Sequence, residues 1–264
     1  MSNRNTAATI PHRKKFLDGI HNLSRRHSGH QVFSDFCQMS AVAISNSVDR
    51  LHYAEREARY MEIVRRYTKD EVSTICGLLA SLIELHEIAM ADWLGGLFME
   101  LELANHWKGQ FFTPYPVCQL MASLALNDAR QKIEAQGFIS ICDPCSGAGA
   151  MVIAQAESLL EQGINYQKNL HVVAQDVDVT AVHMTYIQLS LLHIPAMVVH
   201  GNSLAPRNDH PYFVTPAHVL GGWDSLLRER QVCDDAVGLM IASAHELPAE
   251  VAVLQQRRSN ELDQ

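Results

Sequence analysis

The chain has 264 residues, 47% of them hydrophobic and 19% charged, which excludes a disordered chain and leaves room for one large domain or two small ones. The formal net charge of -8 excludes a wholly basic nucleic-acid binder, because phosphate contacts dominate such affinity. No apolar run approaches the roughly 18 residues of a membrane span, and the polar N-terminus lacks a secretory pattern, so a cytoplasmic location without membrane contact is expected.

The first 30 residues read as a basic flexible segment. Between His12 and His30 lie Arg13, Lys14, Lys15, Arg25 and Arg26 against Asp18 alone. Such a stretch suits a DNA phosphate backbone, or is simply a solvated terminus. Residues 31–108 read as an all-helical domain. Val32, Phe33, Phe36, Met39 and Val42 trace one face of a helix over Gln31–Asp49. A second helix is expected over Tyr53–Tyr67, braced by the pairs Glu55–Arg59 and Glu62–Arg66 at i,i+4. Thr68-Lys-Asp-Glu71 forms a capping box that opens a third, and Asp92–Asn105 is a fourth. Further on, Gly109-Gln-Phe111-Phe112-Thr113-Pro114 precedes another apolar helix. Thr113 suits its N-cap and Pro114 its first turn.

Phe138, Ile139 and Ile141 make a short buried strand ending at Asp143. Pro144 stops the ladder, Gly147 and Gly149 allow a sharp turn, and a helix then runs to Gly163. Strand, glycine loop and helix together are the opening unit of a nucleotide-binding α/β sheet. Cys142 and Cys145 form a Cys-x-x-Cys, but no second pair exists, so no metal site is expected; the pair reads as part of the glycine loop, ahead of the alternative of a redox pair. Six cysteines over this length make no disulfide scaffold. Leu170–Asp176 is a second strand ending in an acid suited to ribose hydroxyls, and Asp178 caps a helix running to His193. A third strand begins at Ala196 and reaches the polar turn Asn202-Ser203. This rhythm predicts a doubly wound, mainly parallel sheet. After Gly201 prolines and glycines leave at most one short strand, so half of a full sheet is missing, short or supplied elsewhere. Residues 231–264 read as a helical tail.

These motifs, taken in order, resemble the adenine-N6 DNA methyltransferases, including the modification subunits of type I restriction systems. The resemblance covers residues 109 to 204. Gln110-Phe-Phe-Thr-Pro114 matches the family's Gly-x-Phe-x-Thr-Pro opening. Asp143-Pro144-Cys-Ser146-Gly147-Ala-Gly149 matches its S-adenosylmethionine loop, Gln175-Asp176-Val177 its ribose-binding acid, and Gly201-Asn202-Ser203-Leu204 its adenine-binding Gly-Asp-Ser-Leu. The resemblance implies a Rossmann-like methyltransferase domain over 109–230, S-adenosylmethionine as cofactor, DNA as substrate, and a protein partner supplying specificity. Two departures stand out. Asn202 replaces the family's Asp, although its oxygen can still accept a hydrogen bond. The catalytic Asn/Asp-Pro-Pro-aromatic motif is absent, since no two prolines are adjacent. Asp209 and Tyr212, in Asp209-His-Pro-Tyr212, are the nearest catalytic candidates, ahead of Thr215-Pro-Ala-His218. The resemblance therefore implies a DNA adenine-N6 methyltransferase, or a catalytically inactive cofactor-binding homologue that partners or modulates a restriction-modification enzyme. Methylation of RNA, protein or a small molecule is a third class.

Overall fold

The computed structural model describes residues 3–101, 112–204 and 210–231, with side chains from residue 7 onward. Residues 1–221 form one unit, and residues 222–264 a second. In the second, residues 223–231 are helical, and Trp223 is buried.

The first unit begins with five helices: α1 (Asn3–Leu23), α2 (Gly29–Asn46), α3 (Tyr53–Val64), α4 (Lys69–Ile88) and α5 (Trp93–Glu100). The expected flexible arm is therefore a helix for most of its length. Phe16, Ile20 and Leu23 recur at i, i+4, i+7 and are fully buried, while Lys14, Lys15, Arg25 and Arg26 remain exposed. At Gly19 a Cβ would lie 2.6 Å from Leu78 Cδ2, so glycine lets α1 approach α4 closely. The capping box at Thr68 and Glu71 is formed. α3 ends at Val64 rather than Tyr67, and the expected pairs are replaced: Arg59 bonds Glu62 at 2.6 Å, and Arg66, beyond the helix, reaches Asp35 at 3.2 Å. Asp35 is buried and also accepts from the Tyr67 hydroxyl, so it draws the second arginine inward.

The remaining elements are α6 (Tyr115–Ala125), α7 (Ala129–Gln136), β1 (Ile139–Asp143), α8 (Ala150–Glu161), α9 (Tyr166–Asn169), β2 (Leu170–Asp176), α10 (Val179–Leu191), β3 (Ala196–His200), β4 (Tyr212–Val214) and α11 (Pro216–Leu220). Pro114, not Thr113, occupies the N-cap of α6, and no side chain caps it. The sheet has the order β1-β2-β3-β4. β1, β2 and β3 are parallel, with Asp143 opposite Ala174 and Asp176 opposite His200; β4 runs antiparallel to β3. The fold is thus a mainly parallel α/β sheet preceded by helices. The division expected at residue 108 does not separate two cores: Phe33, Phe98, Tyr186 and Val198 belong to one buried cluster. α10 explains why. Every residue from Thr180 to Ser190 is buried, as a helix enclosed on all sides requires. It packs on β2 and β3 and also against α2 and α5. No described helix is long and apolar enough to cross a membrane.

Candidate functional site

Because β1, β2 and β3 are parallel, their C-terminal tips share one end of the sheet, where such sheets bind ligands. A cavity of about 300 Å³ opens there, lined by Phe112, Thr113, Asp143, Ser146, Gly147 and Asp176 among others. All six were singled out by sequence.

The glycine loop is held open by backbone geometry. Gly147 and Gly149 have φ of +56° and +93°, which disfavour any side chain. A Cβ on Gly147 would also sit 2.9 Å from the Phe112 ring. Phe112 therefore lies directly against the loop, and its ring packs on Phe98 of α5 at 5.6 Å. The loop is tied to β2 by Ser146 N–H donating to Gln175 O at 2.9 Å. Asp176 accepts from Gly147 N–H and from Asp178 N–H, each at 2.9 Å. The Asp178 carboxylate caps α10 through Thr180 N–H and Ala181 N–H. Asp143 Oδ1 accepts from Cys145 N–H at 3.2 Å.

Three carboxylates, of Asp143, Asp176 and Asp178, thus line one small cavity. Burial, and then the charge of Asp176, push the Asp143 carboxyl above its ordinary 3.8. A ligand carrying positive charge relieves this repulsion, whereas an anion aggravates it. Narrow glycine floor, aromatic neighbour, hydroxyl-accepting acid and negative field fit S-adenosylmethionine, which carries a ribose, an adenine, a sulfonium and an ammonium.

Two supports carried no motif. Thr185 of α10 donates to Gly147 O at 2.8 Å, and its methyl would touch a Cβ on Gly149 at 3.4 Å. Gln188, one helical turn on, donates to Ala148 O and to Asp92 Oδ1 at 2.8 Å each, and accepts from Leu94 N–H at 3.0 Å. One buried amide thus bridges the glycine loop to the start of α5. The only signal in the sequence is that α10 lacks a polar face, so its Gln and Thr must find buried partners.

Other expected residues sit apart. Pro144, Val177, Asn202 and Ser203 do not line the cavity. Asn202 Oδ1 accepts from Leu204 N–H within its own turn. Gly149 serves as the N-cap of α8. Phe111 and Asp209 lie outside the described residues. Tyr212 lines a different cavity, with Arg56 and His183. Thr215 and His218 are buried: Thr215 Oγ1 donates to Ile194 O, and His218 Nδ1 meets His171 Nε2 at 2.9 Å. Those two residues therefore hold α11 onto the sheet. Cys142 and Cys145 are both free thiols.

Residues 97–217 match the family described as N-6 DNA methylase, so the chain is similar to the adenine-N6 DNA methyltransferases over that range. No curated protein matches the chain. Among solved structures, the type I restriction-modification methyltransferase subunit from Streptococcus thermophilus is similar at 12% identity and a TM-score of 0.40, covering 76% of this chain and 60% of that one. A protein assigned to the class I S-adenosylmethionine-dependent methyltransferases, from Listeria monocytogenes, is similar at 17% identity and a TM-score of 0.35, covering 67% of this chain and 55% of that one. The chain thus spans somewhat more than half of each of these structures.

Proposed function

We propose that the glycine-loop cavity binds S-adenosylmethionine and that the chain transfers its methyl group to N6 of adenine in DNA. The observation that carries this reading is the convergence of Asp143, Asp176 and the Gly147–Ala148 backbone on one cavity at the parallel strand tips. Asp176 accepts from the ribose hydroxyls, and the Asp143–Asp176 pair balances the ligand's positive charge. Phe112 covers the glycine loop and excludes water, with Phe111 beside it in sequence. Thr113, which lines the cavity, and Pro114 lead into α6, whereas Pro144, Val177, Asn202 and Ser203 lie outside the cavity lining and are given no contact with the cofactor. When bound, the cofactor supplies an electrophilic methyl carbon for in-line displacement. The target adenine is taken out of the duplex to reach it, so catalysis rests on orientation and desolvation. The exposed cations of α1 suit the phosphate backbone, and a protein partner supplies sequence specificity.

A second reading is an inactive homologue that binds the cofactor and modulates a restriction-modification enzyme. It is favoured by the lack of adjacent prolines and by Tyr212 lining a cavity separate from the glycine loop. Calorimetry with S-adenosylmethionine tests both readings. No heat of binding from a folded chain removes both. Binding without transfer of labelled methyl to any DNA removes the first. Binding also has a pH signature. Because Asp143 titrates above 3.8, affinity for a cationic ligand should fall as pH drops through that raised range, and Asp143→Asn should abolish the dependence.

A further inference from the structure

A second cavity, of about 430 Å³, lies where α3 and α2 face β4 and the tip of β3. That volume is within the roughly 300–1,000 Å³ of small-molecule sites. Its wall is unusual in composition. Four imidazoles, of His52, His183, His200 and His210, meet two guanidiniums, of Arg56 and Arg59, with Glu55 as the single carboxylate in the lining. Tyr212 and Phe213 add aromatic rings. His183 is 97% buried, at 3% exposure, and its Nδ1 has no hydrogen-bond partner among the described residues. His210 Nε2 is likewise buried without one. Unmade hydrogen bonds at two buried ring nitrogens in one cavity are costly, and a ligand that pairs them removes the cost. Within the cavity the groups divide by role. Arg56 is already engaged, by Asp49 at 2.6 Å, by Tyr212 O at 2.6 Å and by the face of Phe213 at 4.4 Å. Arg59, half-exposed at the rim, pairs with Glu62 of its own helix. The imidazole N–H groups and Arg59 suit a phosphate, the rings suit a planar base, and Glu55 can accept from an exocyclic amine.

From this juxtaposition we propose that the cavity binds a nucleoside monophosphate unit, either free or at the end of a single strand, at a site separate from the glycine loop. The two sites are neighbours on one rim: His200 lies opposite Asp176, and its Nε2 is 3.2 Å from Val177 O. The proposal does not depend on what the first cavity binds.

The test is calorimetry on the full chain with adenosine 5′-monophosphate, adenosine, inorganic phosphate and a 5′-phosphorylated hexanucleotide, each with and without saturating S-adenosylmethionine. The expected result is a single site that takes the monophosphate at least about tenfold more tightly than adenosine or phosphate alone. Arg59→Gln should weaken it about tenfold, leaving S-adenosylmethionine binding and the melting temperature unchanged. Tighter binding of the hexanucleotide assigns a strand-borne nucleotide, and tighter binding of the monophosphate a free one. The proposal is overturned if neither binds to the folded chain. It is also overturned if S-adenosylmethionine displaces the ligand competitively, if inorganic phosphate binds as tightly as the monophosphate, or if Arg59→Gln leaves affinity unchanged. Failure of S-adenosylmethionine to bind in the separate titration bears on the first cavity alone.

Discussion

At the scale of single residues, the glycine loop combines two constraints at one position. Gly147 needs a left-handed φ of +56°, and the Phe112 ring occupies the space a Cβ would take. Gly147→Ala should therefore cost about 1–2 kcal/mol in backbone strain, and it should also displace Phe112 and weaken cofactor binding. Urea unfolding reads the first effect and calorimetry the second; a loss of stability with ligand affinity intact would separate the ring from the site. A different group of residues sets the response to acid. Burial pushes both His86 and His183 down to about 4, from an ordinary 6.5. With the folded value below the unfolded one, the unfolded chain binds more protons between those limits. Stability is then full above pH 6.5 and is lost as pH falls towards 4, on the order of 3 kcal/mol for each histidine. Urea melts at pH 7, 6 and 5 should show this slope, and His86→Gln should remove its share.

At the scale of elements, legibility followed the size of the pattern. β1, β2 and β3 were readable because each is an apolar run ended by a polar turn, and α10 because Asp178 announces it. α1 was not. Its apolar stripe is only Phe16, Ile20 and Leu23, set among Arg13, Lys14, Lys15 and Asp18, and local charge hid the helical period. Tertiary contact with α4, not propensity, makes it a helix. Phe16→Ala should accordingly cost about 3–5 kcal/mol, as for a large core side chain, although it lies in a stretch that reads as a solvated arm. A change below about 1 kcal/mol in chemical denaturation would mean that α1 contributes little to the core. β4 was legible only as a single short strand. Three residues between Pro211 and Thr215 carry no period, and nothing local fixes its antiparallel direction. Gln188 and Thr185 were illegible as loop supports, because their partners, Ala148 and Gly147, lie about 40 residues away in sequence.

At the scale of the molecule, the cofactor cavity was foreseeable because parallel strands force their tips together; the second cavity was not, because its wall joins α2 and α3 to β3 and β4 across more than 100 positions. The same joining places the N-terminal helices and the sheet in one core, so the first unit should unfold in a single transition. One part of its surface stands outside that core. α6 packs its small residues Cys118 and Ala122 onto α8. That leaves Val117, Leu120, Met121 and Leu124, at i, i+3, i+4 and i+7, facing outward at 45%, 62%, 50% and 69% exposure. An apolar row of this kind belongs to colloidal behaviour rather than to folding. Leu120→Lys with Leu124→Lys should leave the melting temperature within about 1 °C while raising the concentration at which the protein precipitates. Equal precipitation of parent and variant would locate the adhesive patch elsewhere. Crowding in a concentrated sample is thus the condition under which this exposed face of α6 matters.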